Sequence, residues 1–224
     1  MSAVLVVDVG GSHIKVLATG QQESGRADSG PGMSAARMVE AAKELAGDWS
    51  WENVSVGVPS PIHGGRVVAE PVNLGDGWVG FDYEAGFGKP TKVVNDAAMQ
   101  ALGSYEGGKM LFIGLGTGLG SALVANGYVQ PMELGHLPYK KATFEDYAGS
   151  AALEKRGKKR WRGDVADIVV RLSAAMEPDY VVLGGGNAKK LNELPANARL
   201  GGNDDAFAGG FLLWAPEAPV QIMA

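Results

Sequence analysis

The sequence predicts a mixed α/β fold built from two related halves, on three observations. Two hairpins repeat each other, VLVVDVGGSHIKVLATG (Val4–Gly20) and LFIGLGTGLGSALVANG (Leu111–Gly127), and they align at an offset of 106 residues, which places Gly10 over Gly116. Strand patterns alternate with helical patterns along the chain, which is typical of α/β proteins. The 34 glycines stand singly or in short runs at strand ends, as expected for many tight turns rather than for a flexible linker.

The first half begins with the first hairpin. Its helices are predicted at Ser34–Leu45, where Ser34 is the expected N-cap, and at Ala97–Tyr105, directly after Asn95 and Asp96. The apolar and β-branched runs predict five strands, Val4–Val9, Ile14–Thr19, Val54–Val58, Val67–Pro71 and Thr91–Val94.

The second half restarts the pattern. Strands are predicted at Met110–Leu115, Ser121–Ala125 and Tyr180–Leu183, and helices at Phe144–Lys155 and Trp161–Met176. The segment EGGK interrupts the regular pattern, and we place the boundary between the halves near residues 97–108. We therefore expect an N-terminal lobe of residues 1–97 and a C-terminal lobe of residues 98–224. The cleft between two such lobes is the natural place for a ligand.

Composition narrows the functional class. The net charge of −5 argues against a nucleic-acid partner. The absence of cysteine excludes disulfides and thiolate metal sites. The opening MSAVLVVDVG lacks the basic region of a signal peptide, and no apolar run approaches the ~20 residues that span a bilayer. We therefore expect a cytoplasmic protein with no membrane partner.

The first hairpin turn can bind phosphate. Gly10, Gly11 and Ser12 offer backbone and hydroxyl donors to phosphate oxygens, and Lys15 adds a cation on the returning strand. Asp8 is the only carboxylate of the turn and is a candidate to hold Mg²⁺, directly or through water. From these residues alone, a plain hairpin with a surface lysine is an equally good interpretation.

Three motifs together resemble those of the ROK family of sugar kinases, in the actin/hexokinase superfamily. DVGGSHIK resembles the first phosphate motif of the family, GLGTGLGSALV the second, and PDYVVLGGG the adenosine-side motif, in the family's order. The segment ELGHL (Glu133–Leu137) is similar to that of the short, polyphosphate-glucokinase-like branch. The resemblance implies a duplicated actin-like ATPase (ribonuclease H-like) fold, with two lobes of mixed sheets and a cleft between them.

The resemblance also implies roles for individual residues. Asp96 is the expected catalytic base, although an N-cap aspartate is common at such a position. The residues expected to bind sugar are Asn73, Asn95, Glu133, His136 and Glu145. The residues expected to bind phosphate or nucleotide are Gly10, Gly11, Ser12, Lys15, Gly116, Thr117, Gly118, Gly184, Gly185, Gly186 and Asn187. Trp78 can either stack on a sugar or belong to the core.

Two features bear on substrates. Many family members carry a cysteine-rich zinc motif after the Gly-His pair, and its absence here predicts no zinc site and leaves His136 free to contact sugar. Six of the eight residues from Lys155 to Arg162 are basic. They form either a solvated helix surface or a track for a long polyanion such as polyphosphate.

The sequence therefore predicts a kinase that transfers a phosphoryl group from ATP or polyphosphate to a hexose, with glucose O6 as the first choice and Mg²⁺ as cofactor. Another hexose or an N-acetylhexosamine as acceptor, and a sugar-sensing protein without turnover, are the alternatives. Kinases of this family are often dimers, which leaves a homodimer open.

Overall fold

The computed structural model describes residues 2–202, 204–216 and 220–222, so parts of the predicted C-terminal lobe lie outside the described residues. Its strands are β1 (Val4–Val9), β2 (His13–Ala18), β3 (Gly25–Asp28), β4 (Asn53–Val58), β5 (Ile62–His63), β6 (Arg66–Val67), β7 (Thr91–Asn95), β8 (Met110–Leu115), β9 (Leu119–Ala125), β10 (Tyr128–Met132), β11 (Pro138–Tyr139), β12 (Ala142–Thr143), β13 (Tyr180–Gly184), β14 (Ala198–Leu200) and β15 (Gln221–Ile222). Its α-helices are α1 (Ala35–Ala46), α2 (Tyr83–Phe87), α3 (Asp96–Ser104), α4 (Glu145–Ala148), α5 (Ser150–Met176) and α6 (Asp205–Leu212).

Two mixed sheets organise the chain. One has the strand order β3-β2-β1-β4-β7, and the other has the order β14-β13-β8-β9-β10-β15. In each sheet the central hairpin is antiparallel, and the next two strands, β4 and β7 or β13 and β14, run parallel to its first strand. The expected duplicated α/β fold is confirmed.

The core follows from the apolar strands. Strands β1 and β8 are buried over nearly their whole length because each lies at the centre of its sheet with helices on the faces. Helix α1 covers the first sheet with Met38, Val39 and Ala42. The predicted N-cap is confirmed, since Ser34 Oγ accepts a hydrogen bond from Arg37 N at 3.3 Å.

Helices α3 and α6 cross between the two sheets. They approach so closely that a Cβ atom on Gly103 would overlap the Asp205 carbonyl, and one on Gly209 would overlap the Met99 carbonyl. Helix α6 also packs against the first sheet, where Ser55 Oγ donates to the Gly210 carbonyl at 2.7 Å. The last of the described helices therefore covers strands of the first sheet.

Two predicted elements differ from the structure. The predicted strand at Val67–Pro71 is wrong, because residues 62–67 form a small β5–β6 hairpin and the chain then leaves extended pairing. The predicted helix at Phe144–Lys155 is interrupted at Gly149, which separates α4 from α5. Helix α5 itself breaks at Gly157, whose φ of 73° is left-handed and favours glycine.

Candidate functional site

The two glycine turns meet in the cleft between the sheets. Residues 10–13, the first turn, connect β1 to β2, and residues 116–118, the second turn, connect β8 to β9. A Cβ atom on Gly11 would lie 2.9 Å from Thr117 Oγ1 and 3.3 Å from Asn73 Cβ. The two predicted phosphate motifs and Asn73 therefore come together, with room for backbone but for no further side chain at Gly11.

The first turn carries the charged pair that the sequence singles out. Asp8 and Lys15 are cross-strand partners, and the Asp8 Oδ2 to Lys15 Nζ distance is 3.7 Å. The Asp8 side chain is 13% exposed. Burial raises the pKa of the Asp8 carboxyl, and the neighbouring Lys15 ammonium partly offsets this. Asp8 is thus a desolvated carboxylate with a single cation beside it.

Asp96 lies at the start of α3, beside the first turn. The N-cap of α3 is Asn95, whose Oδ1 accepts a hydrogen bond from Ala98 N at 3.0 Å, so the Asp96 side chain is not the cap of this helix. Burial in the cleft raises the pKa of Asp96 to about 7, with further contributions from the negative charges of Asp8 and Glu133. A carboxylate with a pKa near neutrality is suited to proton transfer at neutral pH.

Both polar atoms of the Asn95 side-chain amide form hydrogen bonds within the fold. Its Oδ1 caps α3, and its Nδ2 donates to the Ser60 carbonyl at 3.3 Å. The side chain is buried and ties the end of β7 to the loop after β4. A sugar contact from Asn95 stays a prediction.

The ELGH segment forms a second acidic cluster on the other side of the cleft. Glu133 precedes a 3-10 helix at Leu134–His136, and His136 Nε2 lies 3.7 Å from Glu145 Oε1 on α4. Burial raises the pKa of Glu133, while His136 opposes and Glu145 reinforces the rise. Because Glu133 also acts on the pKa of Asp96, the predicted base and sugar residues share one electrostatic environment.

Glu145 lies between this cluster and the second turn. A Cβ atom on Gly118 would lie 2.7 Å from Glu145 Oε2, so the carboxylate rests against the turn itself. The short α4 helix that carries Glu145 is held by Trp161, whose Nε1 donates to the Ala148 carbonyl at 2.7 Å. The predicted sugar acid is therefore also a neighbour of the predicted donor site.

The adenosine-side glycines have different surroundings. A Cβ atom on Gly184 would lie 2.5 Å from Phe112 Cζ, and one on Gly185, whose φ is +79°, would lie 2.5 Å from the Leu115 carbonyl oxygen. Gly186 has no neighbour within 4 Å of such an atom. Core packing thus explains the first two glycines, and only Gly186 borders open space.

Asn187 is buried and supports the second turn. Its Nδ2 donates to the Gly116 carbonyl at 3.1 Å and to Ser150 Oγ at 3.0 Å. Its Oδ1 accepts from Lys190 Nζ at 2.7 Å. Direct contact of Asn187 with a nucleotide stays a prediction.

Trp78 belongs to the core. Its side chain is fully buried, and its Nε1 donates to the Met33 carbonyl at 3.0 Å. It cannot stack on a sugar from this position. Asn73 is exposed, on a segment whose end is held by Glu70, which accepts hydrogen bonds from Trp78 N at 2.9 Å and Val79 N at 3.2 Å.

Sequence reasoning missed Glu70 and two serines behind the turns, Ser29 and Ser150. Each serine hydroxyl donates to a turn carbonyl, on Gly10 and Gly116 respectively. No local pattern marks Ser29 or Glu70. For Ser150, its place directly after Gly149 at a predicted helix is the only available signal.

A cavity of about 950 Å³ lies elsewhere, along the outer edge of β7 and the end of α6. Of the predicted site residues it includes Asn95 alone. Within residues 2–202, 204–216 and 220–222, no three His, Asp or Glu side chains are grouped so that they could hold a metal ion.

Comparison with known proteins gives consistent results. The polyphosphate glucokinase of Mycobacterium tuberculosis (strain CDC 1551 / Oshkosh) is 29% identical, over 84% of this chain and 78% of that protein. The polyphosphate glucokinase of Mycobacterium leprae (strain TN) is 30% identical, over 56% of this chain and 44% of that protein. No family profile matches the chain.

Solved structures show the same fold. The inorganic polyphosphate/ATP-glucomannokinase from Arthrobacter sp. strain KM superposes with a TM-score of 0.78 at 23% identity, over 94% of this chain and 97% of that one. The ROK family glucokinase from Streptomyces griseus, solved with glucose and AMPPNP, gives 0.75 at 17% identity, over 93% and 97%. The resemblance to the ROK family is confirmed.

The ROK fold is the actin-like ATPase fold that the motifs imply. The relatives found by sequence and by structure are named glucokinases and sugar kinases, which are phosphotransferases with an alcohol group as acceptor. The enzyme class expected from the motifs is confirmed at that level. Among the described helices, none has the length and apolarity to cross a membrane.

Proposed function

We propose that this protein is a sugar kinase that transfers a phosphoryl group to a hexose hydroxyl, with O6 of glucose as the first choice. The observation that carries the proposal is the contact between the two glycine turns with Asp96 beside them. Phosphoryl transfer requires positioning, charge neutralisation and one proton acceptor, and this cleft offers groups for each. The glucokinase names of the relatives favour glucose.

In this proposal the position of each residue in the cleft determines its role. Asp96 accepts the proton of the attacking sugar hydroxyl, and its pKa of about 7 supports that role. Free backbone N–H groups of the two turns and the Lys15 ammonium bind the donor phosphates. The residues that would hold sugar hydroxyls are Asn73, Asn95, Glu133, His136 and Glu145. Gly184, Gly185, Gly186 and Asn187 would border the distal part of the donor.

Mg²⁺ fits the chemistry of Asp8. Proteins bind this ion through one or two carboxylates together with waters and substrate phosphates, so a lone carboxylate suffices. The raised pKa of Asp8 marks a carboxylate that a cation would stabilise. When bound, Mg²⁺ would neutralise charge on the donor phosphates. We therefore propose Asp8 as its protein ligand, directly or through water.

The donor is ATP or polyphosphate, and the basic segment of α5 favours polyphosphate. Around the break at Gly157, four cationic side chains are exposed, those of Lys155, Lys158, Lys159 and Arg160. The other two are engaged in the fold, since Arg156 pairs with Asp164 at 2.8 Å and Arg162 Nε donates to the Lys190 carbonyl at 2.7 Å. Lys190 in turn contacts Asn187, so this surface adjoins the second turn.

The test is an assay of glucose 6-phosphate formation with Mg²⁺, run in parallel with ATP and with polyphosphate. We expect product with at least one donor. Replacing Asp96 by Asn should lower kcat by about 1,000-fold, because a general base contributes on that order. Glucose binding, followed by calorimetry, should stay near the wild-type value.

Asp48→Asn is the matched control, because Asp48 is an exposed aspartate after α1. It should leave turnover unchanged. A wild-type protein that binds glucose without product from either donor would contradict the kinase and favour a sugar sensor. Full activity of the Asp96→Asn variant would remove Asp96 from the mechanism.

A further inference from the structure

Ser29 forms hydrogen bonds with two backbone carbonyl groups of the first turn. Ser29, just after β3, donates its hydroxyl to the Gly10 carbonyl at 2.5 Å and its backbone N–H to the Ser12 carbonyl at 3.0 Å. Ser29 is only partly exposed, behind the turn. Both interactions are with backbone carbonyl groups of the turn.

A second serine holds the second turn in the same way. Ser150 donates its backbone N–H to the carbonyls of Gly116 and Thr117 at 3.0 and 3.2 Å, and its hydroxyl to the Gly116 carbonyl at 2.9 Å. Asn187 adds a further donor to the same Gly116 carbonyl. The Gly116 carbonyl oxygen therefore accepts hydrogen bonds from three donor groups, although it has only two lone pairs. Together the three donors fix the direction of this carbonyl group.

Because the peptide group is planar, the direction of a carbonyl group also fixes the direction of the N–H group in the same peptide. In a trans peptide the N–H points opposite to the preceding C=O, and the described residues contain no cis peptide bond. With the Gly10 and Gly116 carbonyls held by the serines, the N–H groups of Gly11 and Thr117 must point away from them. Gly11 and Thr117 are the two residues that meet across the cleft.

The N–H groups of Gly11, Thr117 and Gly118 have no acceptor among the described backbone and side-chain groups. By contrast, Gly10 N donates to the His13 carbonyl and Gly116 N to the Gly118 carbonyl, so the turns satisfy their first N–H internally. An unpaired backbone N–H that is fixed in direction is a preformed donor for an anion.

We propose that Ser29 and Ser150 are positioning residues, each of which orients one turn so that its backbone N–H groups face the donor phosphates. The proposal rests on the proposed kinase function and adds to it two residues that act through the turns. Preorganised donors stabilise developing charge without reorganisation during the reaction.

The two serines are not copies made by the duplication. Ser29 follows β3, whose counterpart in the second sheet is β10, whereas Ser150 begins α5. Two unrelated segments thus provide the same pair of donors, one N–H and one O–H, to the two turns. We expect such a match if both turns need one N–H and one O–H donor to fix their backbone.

The experiment measures anion binding without turnover. Tripolyphosphate and ATP are titrated calorimetrically with Mg²⁺ into the wild type and into Ser29→Ala, Ser150→Ala and Ser24→Ala, and glucose is titrated separately. Ser24 is an exposed serine near β3 and serves as the control. We expect the dissociation constant of the anion that the wild type binds to rise about tenfold in Ser29→Ala and Ser150→Ala, the equivalent of one hydrogen bond. Glucose affinity and the Ser24→Ala variant should not change.

Unchanged anion affinity in both variants would overturn the proposal, as would a parallel loss of glucose affinity, which indicates general loosening. If an alanine variant fails to fold, Ser29→Cys and Ser150→Cys keep the volume but have only a weak S–H donor. Wild-type anion affinity in these variants would equally overturn it. A wild type that binds anion, loses it in the variants and yet makes no sugar phosphate would support the serines and contradict the kinase. A wild type that binds neither anion would overturn both.

Discussion

The two halves of the molecule share a backbone and differ in the side chains at the strand ends. Read outward from the hairpins, the sheets have matching orders, β3-β2-β1-β4-β7 and β10-β9-β8-β13-β14. In the first hairpin Asp8 pairs with Lys15, and in the second Gly114 pairs with Gly120. The duplication thus provides two glycine turns, both proposed to bind the donor phosphates, while the charged pair lies in only the first hairpin.

The same asymmetry recurs two strands further out, at the edge of each sheet. Asp96 directly follows β7, whereas Gly201 directly follows the equivalent strand β14. The turns also differ in length. The pairs Val9–Ile14 and Leu115–Leu119 leave four residues in the first turn and three in the second. The offset of 106 therefore applies up to the turns and falls to 105 after them, which aligns Lys15 with Gly120.

Among the differences between the two hairpins, the largest effect should come from Asp8. Replacing Asp8 by Asn should lower kcat for sugar phosphorylation by about 100-fold, because the cleft loses its proposed Mg²⁺ ligand. Gly114→Ala is the matched change at the equivalent position of the second hairpin. Its new Cβ would lie 3.3 Å from Phe112 Cε1, so it should have only a small effect. Equal losses in the two variants would contradict the division of roles.

A second effect concerns stability and pH. The ordinary pKa of an aspartate is 3.8, and Asp96 in the folded protein has a pKa of about 7. Between these values the folded state binds a proton that the unfolded state does not, so wild-type stability decreases as pH rises through this window. Asp96→Asn removes that titration and should raise the melting temperature above pH 7 by roughly 5 °C, with little change near pH 4.

This measurement uses thermal unfolding in buffer without divalent cations, with Asp48→Asn as the control. The difference between Asp96→Asn and wild type should grow steadily from pH 4 to 7 and then level off. A difference that is constant with pH would show that Asp96 does not titrate in this window, and would weaken its assignment as a base.

The smallest effect should come from the exposed cations of α5. Neutralising Lys158, Lys159 and Arg160 to Gln should raise the KM for polyphosphate by about threefold at low salt, and the effect should vanish at about 0.5 M salt. Neutralising Lys43, Arg66 and Lys89, exposed cations of the first half, is the control. An unchanged KM at low salt would leave this segment as a solvated helix surface.

The hairpins were predictable because each combines a buried strand with a glycine turn, and both signals are local. Strand β8 has the predicted bounds, and β1 likewise. The elements missed, such as β3 and α6, lack such signals. β3 is a partly exposed edge strand, and α6 contains two glycines that weaken a helical pattern but permit its close packing.

In the candidate site, too, local sequence signals predict some residues and miss others. The motifs bring together the turns, Asp96 and the ELGH cluster, because short segments carry them. Ser29 and Ser150 act on carbonyls 19 and 34 residues away, and only the folded chain reveals such pairs. The glycines at 184 and 185 show the converse, since a motif glycine can be explained by packing as well as by a ligand.

The position of α6 has a consequence for how the protein is made. Strands β1 and β4 leave the ribosome long before α6, yet one of their faces is covered by α6 and the residues just after it. Trp214 Nε1 donates to Ser55 Oγ at 3.0 Å, across a separation of 159 residues. Contacts between distant parts of a chain form late and slowly. The first sheet therefore exposes apolar surface until α6 has been synthesised. Chains truncated before residue 205 should be captured by chaperones or aggregate rather than fold as an isolated N-terminal lobe.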